Sequence, residues 1–547
     1  MTLRRSSGTN AEIIARNRTA LGIELGSTRI KACLIDADTA EVLATGSHTW
    51  ENSFIDGRWT YPLEEVWSGL QEAYAALVDD AQERHGIRPS SFGAIGISAM
   101  MHGYLAFDAD GTLLVPFRTW RNTSTGEASA ELTEVLGVNI PQRWSVAHLH
   151  QAALDGESHV ADVASITTLA GYVHERLTGR TVLGVGDASG MFPIDSATID
   201  YDERLLQAYR DHTGRDLRPL LPAVLPAGAD AGALTPKGAA LLDPTGALQP
   251  GIPLCPPEGD AGTGMVATNS VAPLTGNVSA GTSIFAMVVL EKPLPTVHEE
   301  LDLVTTPAGA TVAMVHCNNG ASELGAWAAL FHRFTVANGQ FVDEDQVFAT
   351  LFAEALQGDP DAGGLLAYNH LAGEPVVGLD QGRPLFVRTP DAAFTLANVM
   401  RAQIYGVFGT LALGMRILAD DGVRIERMFA HGGLFRTAGV AQRFLAAALD
   451  TPVDVGDLAA EGGAWGIAVL AAYLDQADRP LAAYLDETVF AGASVVTAEP
   501  DPTDVAGFAD YLDRYRAGLA IEAAAITALP TQGTSQDPRP DLKKDAS

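Results

Sequence analysis

Apolar and polar positions along this chain fall twice into one design: an apolar β-forming run, a turn of glycine and hydroxyl residues, and a second apolar run. The first copy is Leu21-Gly22-Ile23-Glu24-Leu25, then Gly26-Ser27-Thr28, then Ile30 to Ile35. The second is Gly276-Asn277-Val278-Ser279-Ala280, then Gly281-Thr282-Ser283, then Ile284 to Leu290. Each copy predicts a strand, a tight turn and a second strand. A third strand, Val42 to Thr49, follows the turn-forming Asp36-Ala37-Asp38-Thr39, and Val66, Leu70, Tyr74 and Leu77 recur at helical spacing in a helix from Leu63 to about Arg84. Ala94 to Ser98 reads as a short strand that delivers Met100-Met101-His102-Gly103 to its end. Tyr104–Phe107 and Leu113–Val115 flank Asp108-Ala109-Asp110-Gly111 and predict a hairpin. The later half repeats the theme with a strand Thr311–His316, a helix from Leu396 to about Leu418, a strand Arg427–Ala430 and a helix from about Thr437 to Leu449. The repetition predicts a duplicated α/β domain, with the boundary near Asn269–Pro273.

Composition narrows the chemistry. The 547 residues exceed what one core accommodates, and 47% hydrophobic with 19% charged residues is ordinary globular usage. A net charge of −32 argues against a nucleic-acid partner or an anionic membrane surface. The lysines are Lys31, Lys237, Lys292, Lys543 and Lys544 alone, and none follows a glycine, so the chain carries no lysine-bearing phosphate loop. Cys33, Cys255 and Cys317 are widely spaced, which suits reduced buried thiols better than a zinc site. No run approaches the roughly 18 uninterrupted apolar residues of a membrane span, and no signal-peptide pattern opens the chain. A cytoplasmic location is expected.

Both glycine–hydroxyl turns can present backbone N–H groups to an anion, since glycine admits close approach. The pair therefore suggests two copies facing one polyphosphate. His431-Gly432-Gly433, between a strand and a helix, suits phosphate or nucleotide in the same way. Phosphoryl transfer to a hydroxyl also needs a divalent cation and a proton acceptor. Asp260, in the loop Pro256-Pro257-Glu258-Gly259-Asp260-Ala261-Gly262 ahead of a helix starting at about Gly262, is the candidate base, with helix capping as its plainer role. Glu24 ends the first strand beside Gly26, where a carboxylate could hold Mg²⁺ through water. Gly262-Thr263-Gly264-Met265-Val266-Ala267 matches a dinucleotide fingerprint but follows Pro256 and Pro257, which cannot join a central strand. Asp108 to Gly111 lacks the carboxylates of a calcium loop.

In order along the chain, the 21–35 hairpin, Ser98-Ala99-Met100-Met101-His102-Gly103, Gly259-Asp260-Ala261, Ser279-Ala280-Gly281-Thr282-Ser283 and Gly432-Gly433 resemble the motifs of the FGGY carbohydrate kinases. Leu177-Thr178-Gly179 with Asp187-Ala188-Ser189-Gly190, and Glu461-Gly462-Gly463-Ala464-Trp465-Gly466 near the adenine, look most like xylulokinases. The resemblance spans about residues 20 to 475. It implies two actin-like (ribonuclease-H-like) domains around a central cleft: 20–271 for the sugar and 272–475 for ATP. A loose leader, 1–19, precedes them; a helical extension, 476–529, and a disordered tail, 530–547, follow. It further implies Asp260 as general base, with Met101, His102, Trp120 and Asn122 at the sugar. ATP would lie against Gly26, Ser27, Thr28, Gly281, Thr282, Ser283, Gly432 and Gly433, with Mg²⁺ near Glu24. The expected partners are a small sugar and ATP, and a homodimer is one compatible assembly.

Three positions depart from the family pattern. Glu24 stands for an aspartate, Asn122 for the aspartate of a Trp-x-Asp sugar contact, and His431 for a third glycine. These leave the acceptor open among xylulose, ribulose, another ketose and a sugar acid. They also leave room for a non-catalytic sugar or nucleotide sensor on the same fold.

Overall fold

The structure, a computed structural model, describes residues 9–436, 439–456 and 462–530. The expected tail therefore lies outside the described residues except for Pro530, as do Thr437 and Glu461. Contacts divide the chain into unit 1 (Met1–Pro273, Val289–Ala313, Asp457–Ser494) and unit 2 (Leu274–Val288, Met314–Gly456, Val495–Ser547).

Unit 1 begins with α1 (Asn10–Ala15), where a loose leader was expected. Thr9 and Glu12 form a reciprocal capping box, and Ile13 and Ile14 are buried in the core. Next come β1 (Thr19–Leu25), β2 (Arg29–Asp36), β3 (Val42–Thr49), α2 (Leu63–His85) and β4 (Ala94–Ala99). α3 (Gly126–Leu136), α4 (Ser145–Leu154) and α5 (Glu203–Thr213) precede the short β5 (Glu258–Gly259) and α6 (Asp260–Ala267). The sheet order is β3-β2-β1-β4-β5, with β1 antiparallel to β2 and parallel to β4. The hairpin expected after Tyr104 forms differently: Leu105–Phe107 pairs with Ser165–Thr167, and Leu113 makes only an isolated bridge to Phe107. The local turn still closes, Asp108 N–H donating to Thr112 O at 3.0 Å and Leu114 N–H to Ala106 O at 2.9 Å, while the ladder comes from a partner distant in sequence.

Unit 2 repeats the plan. Its main sheet includes β6 (Thr275–Ala280), β7 (Ile284–Val289), β8 (Thr311–Cys317), β9 (Arg427–His431) and β10 (Val453–Gly456), in the order β8-β7-β6-β9-β10. Here too the first strand is antiparallel to the second and parallel to the fourth. The helices are α7 (Ser322–Ala337), α8 (Leu396–Asp420) and α9 (Val440–Leu449). α8 is long and apolar enough to cross a bilayer by length and composition, but 78% of its apolar window is buried, as in a core helix.

α10 (Gly463–Tyr473) returns to unit 1, not to the second half where it was expected, and β11 (Val495–Ala498) and α11 (Pro502–Ala528) close unit 2. The helical extension is thus shared between the units, its first part in unit 1 and the rest in unit 2. Every residue of α10 is buried, so it carries no polar face to mark an orientation. It approaches β1 and β4 at backbone distance. A Cβ on Gly22 would lie 2.0 Å from the Ala464 carbonyl oxygen, and one on Gly96 would lie 2.6 Å from that of Ile467.

Gly22→Ala should therefore destabilise unit 1 by more than the usual ~1–3 kcal/mol of an overpacked core, because the obstacle is backbone. Gly325→Ala, inside α7 with nothing within 4 Å of the added methyl, should gain about 0.5–1 kcal/mol. Denaturant unfolding of the two variants checks both signs.

Candidate active site

The end of β4 and the start of α6 bring Met101, His102 and Asp260 together. Gly259 caps α6 and Asp260 is its first residue, so the carboxylate is not spent as the cap. Instead its Oδ1 accepts the Met101 N–H at 3.0 Å. His102 adopts a left-handed backbone (φ 71°) and is buried, its Nδ1 lying 3.5 Å from the Gly190 carbonyl oxygen. Gly190 is required there, since a Cβ would stand 2.5 Å from that Nδ1 and 2.9 Å from the Met101 methyl. The Asp187–Gly190 motif thus braces the Met101–His102 turn.

A buried carboxyl pair backs Asp260. Glu258 accepts the N–H groups of Gly186 at 3.2 Å and Asp187 at 2.9 Å, while Asp187 Oδ2 accepts the Thr168 hydroxyl at 2.6 Å. Gly184 and Gly186 make room for Glu258, whose carboxylate occupies the space of their missing Cβ atoms. Burial pushes Glu258 up to about 8, with Asp187 adding to the rise, and Asp187 up to about 7. Asp260 is raised too, by the protein around it, against the pull of the Met101, Ala261 and Asp260 N–H groups. It nevertheless remains open to solvent, as a group that must meet a substrate requires. Sequence reasoning passed over Glu258; the glycines at 184 and 186 were its only trace.

Glu24, on β1, sits against α10. A Cβ on Gly463 would lie 2.2 Å from Glu24 Oε1 and 3.0 Å from Thr263 Oγ1, and Thr263 shares a 3.2 Å hydrogen bond with Ser98 on β4. Thr263 Oγ1 also donates to the Asp260 carbonyl at 3.2 Å, tying Glu24's surroundings to the start of α6. The first glycine turn is braced by aromatic donors: Trp50 Nε1–H to Gly26 O at 2.7 Å, Tyr61 O–H to Ser27 O at 2.6 Å, and Trp120 Nε1–H to Ser27 Oγ at 3.3 Å. Thr28 is exposed.

In unit 2 the Gly281–Ser283 turn is held by backbone donors, with Gly320 N–H donating to Thr282 O at 2.7 Å and Ala321 N–H to Gly281 O at 2.8 Å. Gly432 (φ 106°) presses on the same turn, its absent Cβ lying 2.3 Å from Ala280 O. Gly281, Thr282, Gly432 and Gly433 are all exposed. The open backbone at Gly281 and Gly433 suits the approach of a polyphosphate. His431 is held neutral by burial, which pushes its pKa down to about 4.

Asn122 does not join these groups. It is buried, its Oδ1 accepting the Trp59 N–H at 2.8 Å and its Nδ2 donating to Trp59 O at 2.9 Å and Thr119 O at 3.0 Å. Both amide hydrogens are used, so the expected sugar contact is a structural strut.

Two units with the same strand order and a glycine turn at the same point in each define a duplicated actin-like kinase fold. The chain matches the FGGY family of carbohydrate kinases, N-terminal domain, over residues 19–266 and C-terminal domain over residues 276–474, and it belongs to that family. The xylulose kinase of Haemophilus influenzae is 22% identical over 427 residues, covering 76% of this chain and 82% of the relative. That of Klebsiella pneumoniae is 25% identical over 486 residues, covering 84% and 91%. Among solved structures, a xylulose kinase from Rhodospirillum rubrum has TM-score 0.75 at 22% identity, covering 92% of this chain and 99% of its own. A gluconate kinase from Lactobacillus acidophilus has TM-score 0.74 at 17%, covering 93% and 98%. These structures establish the fold.

Two variants probe the polar groups. Asn122→Asp sets a carboxylate against the Trp59 and Thr119 carbonyls and should cost about 1–3 kcal/mol in unfolding, leaving the order of sugar preference unchanged. For Glu258 and Asp187, folded values above the unfolded ones give stability that is complete at low pH and lost as pH rises through about 7–8. The wild-type melting temperature should fall from about pH 5 to about pH 8 more steeply than that of Glu258→Gln, which stays neutral but keeps an oxygen for only one of the two N–H groups and so starts from a lower stability.

Proposed function

We propose that this carbohydrate kinase phosphorylates a ketopentose, D-xylulose or a close relative, at its terminal hydroxyl with ATP and Mg²⁺. The observation that carries the reading is Asp260: a solvent-reaching carboxylate fixed at Oδ1 by Met101 N–H, raised toward a useful basicity, and set among Met101 and His102. The hydroxyl lies at Asp260, which takes its proton, while Met101 and His102 shape the pocket. The Gly281–Ser283 turn and Gly432-Gly433 hold the nucleotide, and Glu24, with Gly26–Thr28 beside it, orients the cation through water. ATP supplies the phosphoryl group, and Mg²⁺ neutralises the charge developing on it. A sensor has no need of such a base. Xylulose is preferred on the motifs and on the relatives' names, and the gluconate kinase neighbour is why a sugar acid belongs in the assay. We place the enzyme in the cytoplasm, where ATP and free sugars meet.

Asp260→Asn should keep its fold and its sugar affinity while kcat falls about 10²–10⁴-fold. ADP release measured with xylulose, ribulose, other ketoses, glycerol and gluconate tests the base and the acceptor together. Turnover of the variant within a few-fold of wild type would reject the base. A different best substrate for the wild type would reject the acceptor alone.

A further inference from the structure

Three helices of unit 1 aim nitrogen and oxygen donors at one point unrelated to the groups above. Glu131 on α3, His150 on α4 and His212 on α5 each offer a ligand atom, and these atoms lie within 4.8 Å of one another. His212 Nε2 is 2.5 Å from Glu131 Oε1, and His150 Nε2 is 3.5 Å from Glu131 Oε2. His150 is only 4% exposed, yet neither of its ring nitrogens has a hydrogen-bond partner. A buried imidazole with neither nitrogen in a hydrogen bond, its Nε2 only within ion-pair range of Glu131, is an exception among native side chains. The Tyr209 ring meets it edge-on, 5.8 Å between centroids, and fixes its plane.

We propose that Glu131, His150 and His212 bind one divalent transition-metal ion, with zinc the best fit. Two neutral imidazoles and a carboxylate are a donor set for zinc, whereas magnesium prefers oxygen throughout. Ligand atoms about 2.0–2.1 Å from a tetrahedral ion stand roughly 3.3–3.5 Å apart, close to the separation already present between His150 and Glu131. The carboxylate lies between the imidazoles, one oxygen toward each, so small side-chain rotations close the set and a water completes it. The ion enters from the side of Glu131 and His212, whose side chains are 33% and 37% exposed. Bound there, it joins α5 to the neighbouring helices α3 and α4, which lie well upstream of it in sequence. None of these residues takes part in phosphoryl transfer, so the inference stands apart from the proposed reaction.

The test uses the full chain, freed of any affinity tag and treated with a chelator, then titrated with Zn²⁺ or Co²⁺. The expected result is one ion per chain by elemental analysis, visible d–d bands with cobalt and a higher melting temperature with zinc. Losing a partner outside the ligand set already lowers metal affinity about 10–100-fold, so His212→Ala, which removes a half-exposed ligand, should weaken zinc at least about 100-fold while its circular dichroism is unchanged. Failure of the wild type to retain one equivalent, or zinc binding by His212→Ala equal to wild type, would overturn the proposal. Turnover enters neither measurement.

Discussion

The backbone-to-backbone contact of α10 with β1 and β4 is the constraint on which unit 1 depends. Its closeness comes from absent side chains: Gly22 and Gly96 on the strands, Gly463 and Gly466 on the helix. The last two do more than permit packing. Gly463 lies against the Glu24 carboxylate, and a Cβ on Gly466 would stand 2.2 Å from the Thr263 carbonyl oxygen. One helix therefore sets the end of β1, which carries the candidate metal-orienting carboxylate, and the backbone of α6, which carries the candidate base. A shift of α10 would move both. Its uniformly apolar sequence suits this role, because a helix packed on every side keeps its position through shape and needs no polar anchor.

Behind the base, the fold spends free energy to keep charge out of the core. Three carboxyl groups, Asp187, Glu258 and Asp260, occupy neighbouring positions, and full ionisation would set like charges together in a low-dielectric interior. Glu258 and Asp187 are buried and hold their protons into the neutral range, while Asp260 keeps contact with water. Environment thus separates a group suited to accept a proton from groups suited to hold a loop, which is how adjacent carboxyls acquire different work.

How much of this was legible depended on whether the signal was local. Both hairpins could be read because glycine and hydroxyl residues sit at the turn itself, and the strand bounds at Val42–Thr49 and the start of α2 at Leu63 agreed with the pattern. The capping box at Thr9 and Glu12 was equally local and went unread, so an ordered helix passed for a leader. The place of α10 was not legible, since its partners are hundreds of residues upstream. Asn122 shows the limit of a motif: the match fixed a position, but the bonds to Trp59 that define its role come from a different part of the chain. For Glu258, nothing in a Pro/Gly-rich loop distinguishes a buried carboxyl from a solvated one.

The two glycine turns are equivalent in topology and different in chemistry, and the difference bears on what each can hold. In unit 1 the turn's outward carbonyls and a serine hydroxyl are taken by two indoles and a phenol, an apolar brace that excludes water from one side. Such a wall suits the carbon face of a small polyol, and the Trp120 ring stays available for such a contact even though its N–H is engaged. In unit 2 the corresponding turn is held by backbone donors from the segment entering α7, and Gly432 packs on it from β9. No aromatic side chain braces that turn among the described residues, and the glycine backbone lies open to solvent. Anions are bound by N–H dipoles that can be reached closely, a demand bare backbone meets and an aromatic wall does not. Duplication supplied the same loop twice; the side chains around it leave one copy walled by aromatic rings and the other open as bare backbone.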